Sequence, residues 1–124
     1  MKNISGFSVA AFFVLVIQAV LITSCGSQAQ TKIPYEKSFL VDVRPRQEFA
    51  EGSAPGAVNI PLNEIKDRLE EFKGKEQIVV FCRSGNRSGQ AKSILEENGI
   101  THVVNGGSWQ DVSAVLKNGK NNGK

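Results

Sequence analysis

Residues 78–89 read IVVFCRSGNRSG, an unbroken apolar run of strand length that ends on a cysteine and passes at once into a short loop carrying a glycine and two arginines. A strand apolar on consecutive residues is buried on both faces, which is the condition of a parallel sheet covered by helices rather than of a sheet with one wet side. After the loop the pattern becomes helical: Ala91, Ile94 and Leu95 recur at helix spacing over 88–98, and Gly99 supplies a left-handed stop. This order delivers Cys82 to the carboxyl edge of a sheet, where ligands of open α/β folds bind.

The same alternation runs along the rest of the chain. Residues 39–43 form a strand candidate, and Pro45 suits the first turn of a helix ending at Gly52. Residues 57–60 give a weak second strand before Pro61. Over 63–73, Ile65, Leu69 and Phe72 recur at helical spacing, with the charges facing water. Residues 77–81 are the third strand and 101–104 the fourth, followed by a turn at Gly106 and Gly107. Ser108, with Asp111 three residues on, caps a last helix carrying Trp109, Val112, Val115 and Leu116 on one face. Strands alternating with helices predict a parallel sheet covered on both faces. No internal repeat is present.

The chemistry concentrates at Cys82. A helix starting just beyond it points unpaired N–H groups back at the sulfur, and these with the helix dipole lower a thiol pKa and hold an anion. Arg83 and Arg87 add positive charge. The plain alternative is a small buried thiol closing a core strand, inert in apolar surroundings; the coincidence of cysteine, glycine, arginines and helix start within seven residues favours the nucleophile. His102, the single histidine, sits in a strand candidate and is discounted as a catalytic partner. Trp109 reads as core packing or a wall near the site. Glu96, Glu97 and the mixed charges of 64–75 are solvated faces. Asp42 either caps local amides or anchors an arginine beside Cys82. One free cysteine and one histidine make no metal site, and no cofactor is expected. The net charge of +3 includes Lys2 and the lysines of the last eight residues, so no basic stripe for nucleic acid is left.

Three stretches, LVDVRPRQEF from Leu40, GSAPGAVNIP from Gly52 and VVFCRSGNRSGQA from Val79, together with NGGSW from Asn105, resemble the single-domain rhodaneses, sulfurtransferases, and among them the small periplasmic thiosulfate sulfurtransferases of the phage-shock type. The resemblance implies a three-layer α/β/α fold around a small central parallel sheet. It implies that Cys82 carries sulfur as a persulfide, that Arg83, Ser84, Gly85, Asn86, Arg87 and Ser88 form the substrate loop, and that Asp42 and Arg44 support it. Thiosulfate is the implied donor, with cyanide, a thiol or a protein as acceptor, in a monomer. Where the family often reads GHIPGA this chain reads GSAPGA, so Ser53 and Ala54 replace a histidine and an isoleucine. Cysteine phosphatases and rhodanese-like arsenate reductases use a longer C-x5-R loop; Cys82 to Arg87 is C-x4-R, a ring one amide shorter. A sulfane-sulfur carrier or redox-binding module without fast turnover is the alternative outside enzymes.

The amino terminus reads as an export signal. Lys2 precedes an apolar run over 7–22, shorter than the roughly 20 residues of a spanning helix, and small residues lead to Cys25. Ile22-Thr23-Ser24-Cys25 resembles a bacterial lipobox, which implies cleavage before Cys25, lipid on its sulfur, and a membrane-anchored protein of the bacterial cell envelope facing the periplasm or exterior. Two or more acyl chains anchor stably where one does not. The expected organisation is a signal over 1–24, a lipidated tether over 25–37, one domain over 38–117 and a disordered tail over 118–124. With Cys25 taken by lipid, Cys82 stays a lone thiol in an oxidising compartment, where persistence suggests reactivity.

Overall fold

The computed structural model describes residues 33–122. The expected signal, Cys25 and most of the tether lie outside the described residues. Four strands, β1 (Phe39–Asp42), β2 (Val58–Asn59), β3 (Ile78–Cys82) and β4 (Val103–Ser108), form one parallel sheet in the order β2-β1-β3-β4. Three α-helices, α1 (Arg46–Glu51), α2 (Asn86–Glu97) and α3 (Trp109–Asn121), and two 3₁₀ segments, Tyr35–Lys37 and Leu62–Phe72, complete the unit.

Every side chain of β3 is buried, and its alternation divides them between two cores. Ile78, Val80 and Cys82 face Val41, Ile65, Phe72, Ala91 and Leu95, under α2 and the longer 3₁₀ segment. Val79 and Phe81 face Leu40, Ala54, Val112 and Leu116, under α3. The result is the three-layer α/β/α arrangement expected from the sequence. Each fully buried valine, isoleucine or phenylalanine contributes about 1.5–3 kcal/mol over its exposed state, so the strand that presents Cys82 is also the best-anchored element.

Strand order fixes the location of the site. The chain leaves β1 toward β2 on one side and leaves β3 toward β4 on the other. The carboxyl ends of β1 and β3, paired at Asp42 and Phe81, therefore flank the crevice where the connections diverge.

Several local expectations are corrected. The segment Leu62–Phe72 is 3₁₀ rather than α-helical and is interrupted at Arg68 (φ −125°); it still buries Ile65 and Phe72, the burial that its apolar spacing demanded. Helix α2 starts at Asn86, two residues earlier than read, because left-handed Gly85 (φ 94°) turns the chain abruptly and its carbonyl accepts from Gly89 N at 3.0 Å. Gly106 and Gly107 lie inside β4 rather than in a turn beyond it. Register passes from Val80↔Asn105 to Cys82↔Ser108, so β4 spends one extra residue there, a bulge that re-aims its end toward the Cys82 loop. His102 precedes β4 and is exposed. Val115 is exposed too, while Val112 and Leu116 carry the buried face of α3.

Both domain boundaries move outward. Tyr35 packs on the α3 core, and Gln77 Nε2 donates to Ile33 O at 2.9 Å and to Ser38 Oγ at 2.8 Å, so 33–37 belong to the folded unit and not to a tether. Helix α3 continues to Asn121, where a disordered tail was expected from 118. Its start is held by the reciprocal Ser108–Asp111 capping box. Near its end, Gly119 lies against the carboxylate of exposed Glu36 in the 3₁₀ turn.

Candidate active site

Cys82 ends β3 fully buried, and its sulfur accepts from Gly85 N at 3.0 Å. That bond exists because Gly85 is left-handed, which folds the loop back over the strand end. It is the left-handed conformation that calls for glycine here; a Cβ on Gly85 would lie in close contact with Gly107 Cα, at 3.4 Å. Ser88, buried in the first turn of α2, puts its hydroxyl 3.4 Å from the sulfur. Burial pushes the Cys82 thiol up, but the Ser88 hydroxyl and the amides of Ser88, Ser84 and Gly85 outweigh it and bring the thiol down to about 7. The thiol is thus poised to ionise near neutrality by donors that fold around it, as expected of a nucleophile.

The loop is held from β4. Asn105 accepts from Ser88 Oγ at 2.7 Å and from Gly107 N at 3.0 Å, and its amide donates to Gly85 O at 3.0 Å. Sequence reasoning missed Asn105. The pattern offered no signal for it beyond its place before two glycines.

Asp42, at the end of β1, is fully buried with Arg44. Its carboxylate accepts from Arg44 N at 3.0 Å, from Arg44 Nε at 3.0 Å and from Arg44 Nη2 at 2.7 Å. Asp42 therefore does both things considered for it, capping an amide and anchoring an arginine, but that arginine is Arg44 rather than Arg83 or Arg87. Ser53 donates to Asp42 Oδ2 at 2.7 Å, which gives the residue standing in place of the family histidine a scaffold role. Arg44 also donates to Gly52 O at 2.6 Å and lies over the Trp109 ring, 5.4 Å from its centroid, tying β1, the Gly52–Ser53 turn and α3 together.

The two loop arginines differ. Arg83 is exposed and borders a polar cleft of about 280 Å³ lined also by Arg44, Glu48, Glu51, Gly52 and Trp109. Arg87 is half-buried and donates to Glu48 of α1, Nη1 to Oε2 at 2.6 Å. The Arg87 hydrogen bond holds the Glu48 carboxyl below its usual range against the opposing effect of burial, helped by the charges of Arg87, Arg44 and Arg83. Glu48 in turn raises Arg87, with Cys82 adding in the same direction. Glu48 was also missed, as one of two acids on a short helix with no buried residue. Ser84 and Asn86 are exposed; of these two, only Ser84 contributes an amide to the sulfur. His102 takes no part.

This geometry agrees with comparison to known proteins. The rhodanese-like domain profile matches residues 27–114. The thiosulfate sulfurtransferase PspE of Escherichia coli K12 is 40% identical over 75 residues, covering 59% of this chain and 72% of that protein. A sulfurtransferase of Allochromatium vinosum is 37% identical over 79 residues, 64% of this chain and 74% of its own. Among solved structures, a rhodanese with anions from E. coli superposes with a TM-score of 0.55 at 40% identity, covering 59% of this chain and 88% of that one. The human single-domain sulfurtransferase TSTD1 gives 0.53 at 30% identity, over 61% and 80%. With a cysteine cradled by loop amides at the switch point of a parallel sheet, the chain belongs to the rhodanese-like domain family of sulfurtransferases.

Proposed function

We propose that the protein is a thiosulfate sulfurtransferase working through a Cys82 persulfide. The Cys82 thiolate attacks the outer sulfur of thiosulfate; a new S–S bond forms, the bond to the sulfonate sulfur breaks, and sulfite leaves with its electron pair. Charge is conserved, since thiolate and thiosulfate dianion become persulfide anion and sulfite dianion. A nucleophile, cyanide in the test tube or a thiolate of a small molecule or partner protein, then attacks the outer sulfur and releases Cys82 as thiolate. The amides that lower the thiol pKa are directed at the same region where the persulfide charge develops.

The observation that carries this reading is the short ring around Sγ, with Gly85 N at 3.0 Å and only four residues between Cys82 and Arg87. Such a ring suits one sulfur atom on the cysteine better than a whole tetrahedral oxyanion held against it. The full burial of Cys82 favours a compact donor such as thiosulfate over a bulky one. Mass spectrometry of the mature domain after thiosulfate tests it: one added sulfur on the peptide containing Cys82 is expected, released by cyanide over many turnovers. An unmodified Cys82 would sink the proposal, and a persulfide discharged once by a single protein would make the chain a carrier.

For Cys25 the proposal rests on the sequence Ile22-Thr23-Ser24-Cys25 alone: lipid on its sulfur anchors the domain to a bacterial envelope membrane. Labelled fatty acid should enter the full chain in a bacterial host and fail to enter Cys25→Ala. Unlipidated mature protein in the soluble fraction would leave an ordinary cleaved signal.

A further inference from the structure

The Ser88 hydroxyl has one proton and two neighbours in need of it. Asn105 Oδ1, 2.7 Å away, can only accept, so in the structure the hydroxyl donates to Asn105. The Cys82 sulfur lies 3.4 Å from the same oxygen. With its proton given to Asn105, Ser88 can meet the sulfur only as an acceptor, from the S–H of a neutral thiol. A thiolate has no proton to give and needs a donor. The hydroxyl must then turn.

Asn105 is arranged so that the turn leaves nothing stranded. Its Oδ1 keeps the Gly107 amide at 3.0 Å when Ser88 departs, so no acceptor loses its last partner. Its Nδ2 keeps Gly85 O at 3.0 Å, so the loop that directs Gly85 N at the sulfur stays closed. The bulge in β4 is what brings Asn105 and Gly107 to this place together.

We propose that Asn105 is a positioning residue that holds the Ser88 hydroxyl as a two-position donor, turned to Asn105 while Cys82 is a thiol or a persulfide and turned to the sulfur while Cys82 is a thiolate. The second half rests on the sulfur-transfer reading: in a persulfide the negative charge sits on the outer sulfur, and Sγ becomes a neutral bridge that no longer draws the hydroxyl. The hydroxyl keeps its own proton throughout; the thiol proton leaves to solvent. Arg87 on α2, Glu48 on α1, Arg83 in the loop, Arg44 after β1 and, beside Gly107, Asp111 on α3 set the charge around the network, and none of them is altered in the test.

The test reads protonation rather than turnover. The Asn105 carboxamide carbon, labelled with carbon-13, is followed by NMR in the wild type while thiolate is monitored by its ultraviolet absorbance. Its resonance should move with the same midpoint as Cys82, because Asn105 loses a donor as the thiolate forms, and the movement should vanish in Ser88→Ala. A resonance that stays still, or moves equally in Ser88→Ala, overturns the proposal. A double-mutant cycle adds a second reading. Asn105→Asp, a stronger acceptor, should raise the thiol midpoint by about one pH unit, a tenfold change, and by less than half of that in the Ser88→Ala background. Equal increments would mean a direct charge effect and would overturn it. With thiosulfate present and a Cys82 persulfide seen by mass spectrometry, the Asn105 resonance should return to its thiol position; remaining at the thiolate position would overturn the second half. If no persulfide forms, the functional reading fails while the titration still decides the first half.

Discussion

Arg87 donates to Glu48 from the first turn of α2 to α1, Nη1 to Oε2 at 2.6 Å, across 39 residues of sequence. The arginine that the loop pattern offers to an anionic donor is therefore shared with a resident carboxylate. Arg87 still feels the Cys82 sulfur, whose charge raises it further. Glu48 thus competes with any anion for the same guanidinium.

Two substitutions should move thiosulfate use in opposite directions. Arg87→Ala should lower kcat/KM by about one power of ten, the low end for a lost charged hydrogen bond of about 1.5–3 kcal/mol, because Glu48 already takes part of its capacity. Glu48→Gln should lower KM by up to about five-fold, matching the ~1 kcal/mol ceiling of a half-exposed ion pair. Steady-state kinetics at low and high salt checks both, with added salt shrinking each effect. An unchanged KM in Glu48→Gln would show that the pair does not restrain the donor site.

Cys82→Ser should abolish thiosulfate:cyanide transfer and leave the far-ultraviolet circular dichroism unchanged, since the hydroxyl is nearly the size of the thiol but forms no persulfide. Turnover near the wild-type rate in a folded variant would remove Cys82 as the nucleophile.

The thiol at about 7 against an ordinary 9.0 gives two pH signatures. Transfer should rise with pH through about 7 as the thiolate forms. Stability follows the same group: a depressed folded pKa adds stability that is full above 9.0 and is lost as pH falls through about 7. The wild-type Tm should therefore gain on that of Cys82→Ser between about pH 6 and about pH 9. A constant difference would mean that the thiol ionises alike in the folded and unfolded chains.

The scaffold can be probed at Asp42. Asp42→Asn leaves Arg44 buried without its counter-charge and should cost about 3–5 kcal/mol. Ser53→Ala removes one hydrogen bond to the same carboxylate and should cost about 1 kcal/mol. Urea unfolding separates the two. Equal small losses would show that Arg44 finds a new partner.

Gly106→Ala should be destabilising by about 1–3 kcal/mol, because a Cβ there would lie 2.7 Å from Val112 Cγ2 and 2.9 Å from Val79 Cγ1. Thermal unfolding reads this directly. A neutral result would mean that α3 can lift from β4 without loss.

The sequence by itself determined which segments are buried and which strand end carries the cysteine. Two-sided apolarity over 78–81 requires an interior parallel strand; Gly99 and the Ser108–Asp111 pair mark helix ends through local backbone needs; and a cysteine between that strand and a helix start has amides in reach whatever the rest of the fold does. These are interactions among neighbours a few residues apart, which periodicity and capping chemistry can express. What only the tertiary structure decided are the polar partnerships across the sheet: Glu48 with Arg87, Ser53 with Asp42, and Asn105 with Ser88. Each joins hydrophilic residues whose local pattern says only that they lie near the surface. Their pairing depends on which strand ends lie side by side and on register, and here a single extra residue in β4 turned two glycines read as a turn into the bulge that brings Asn105 to the Cys82 loop.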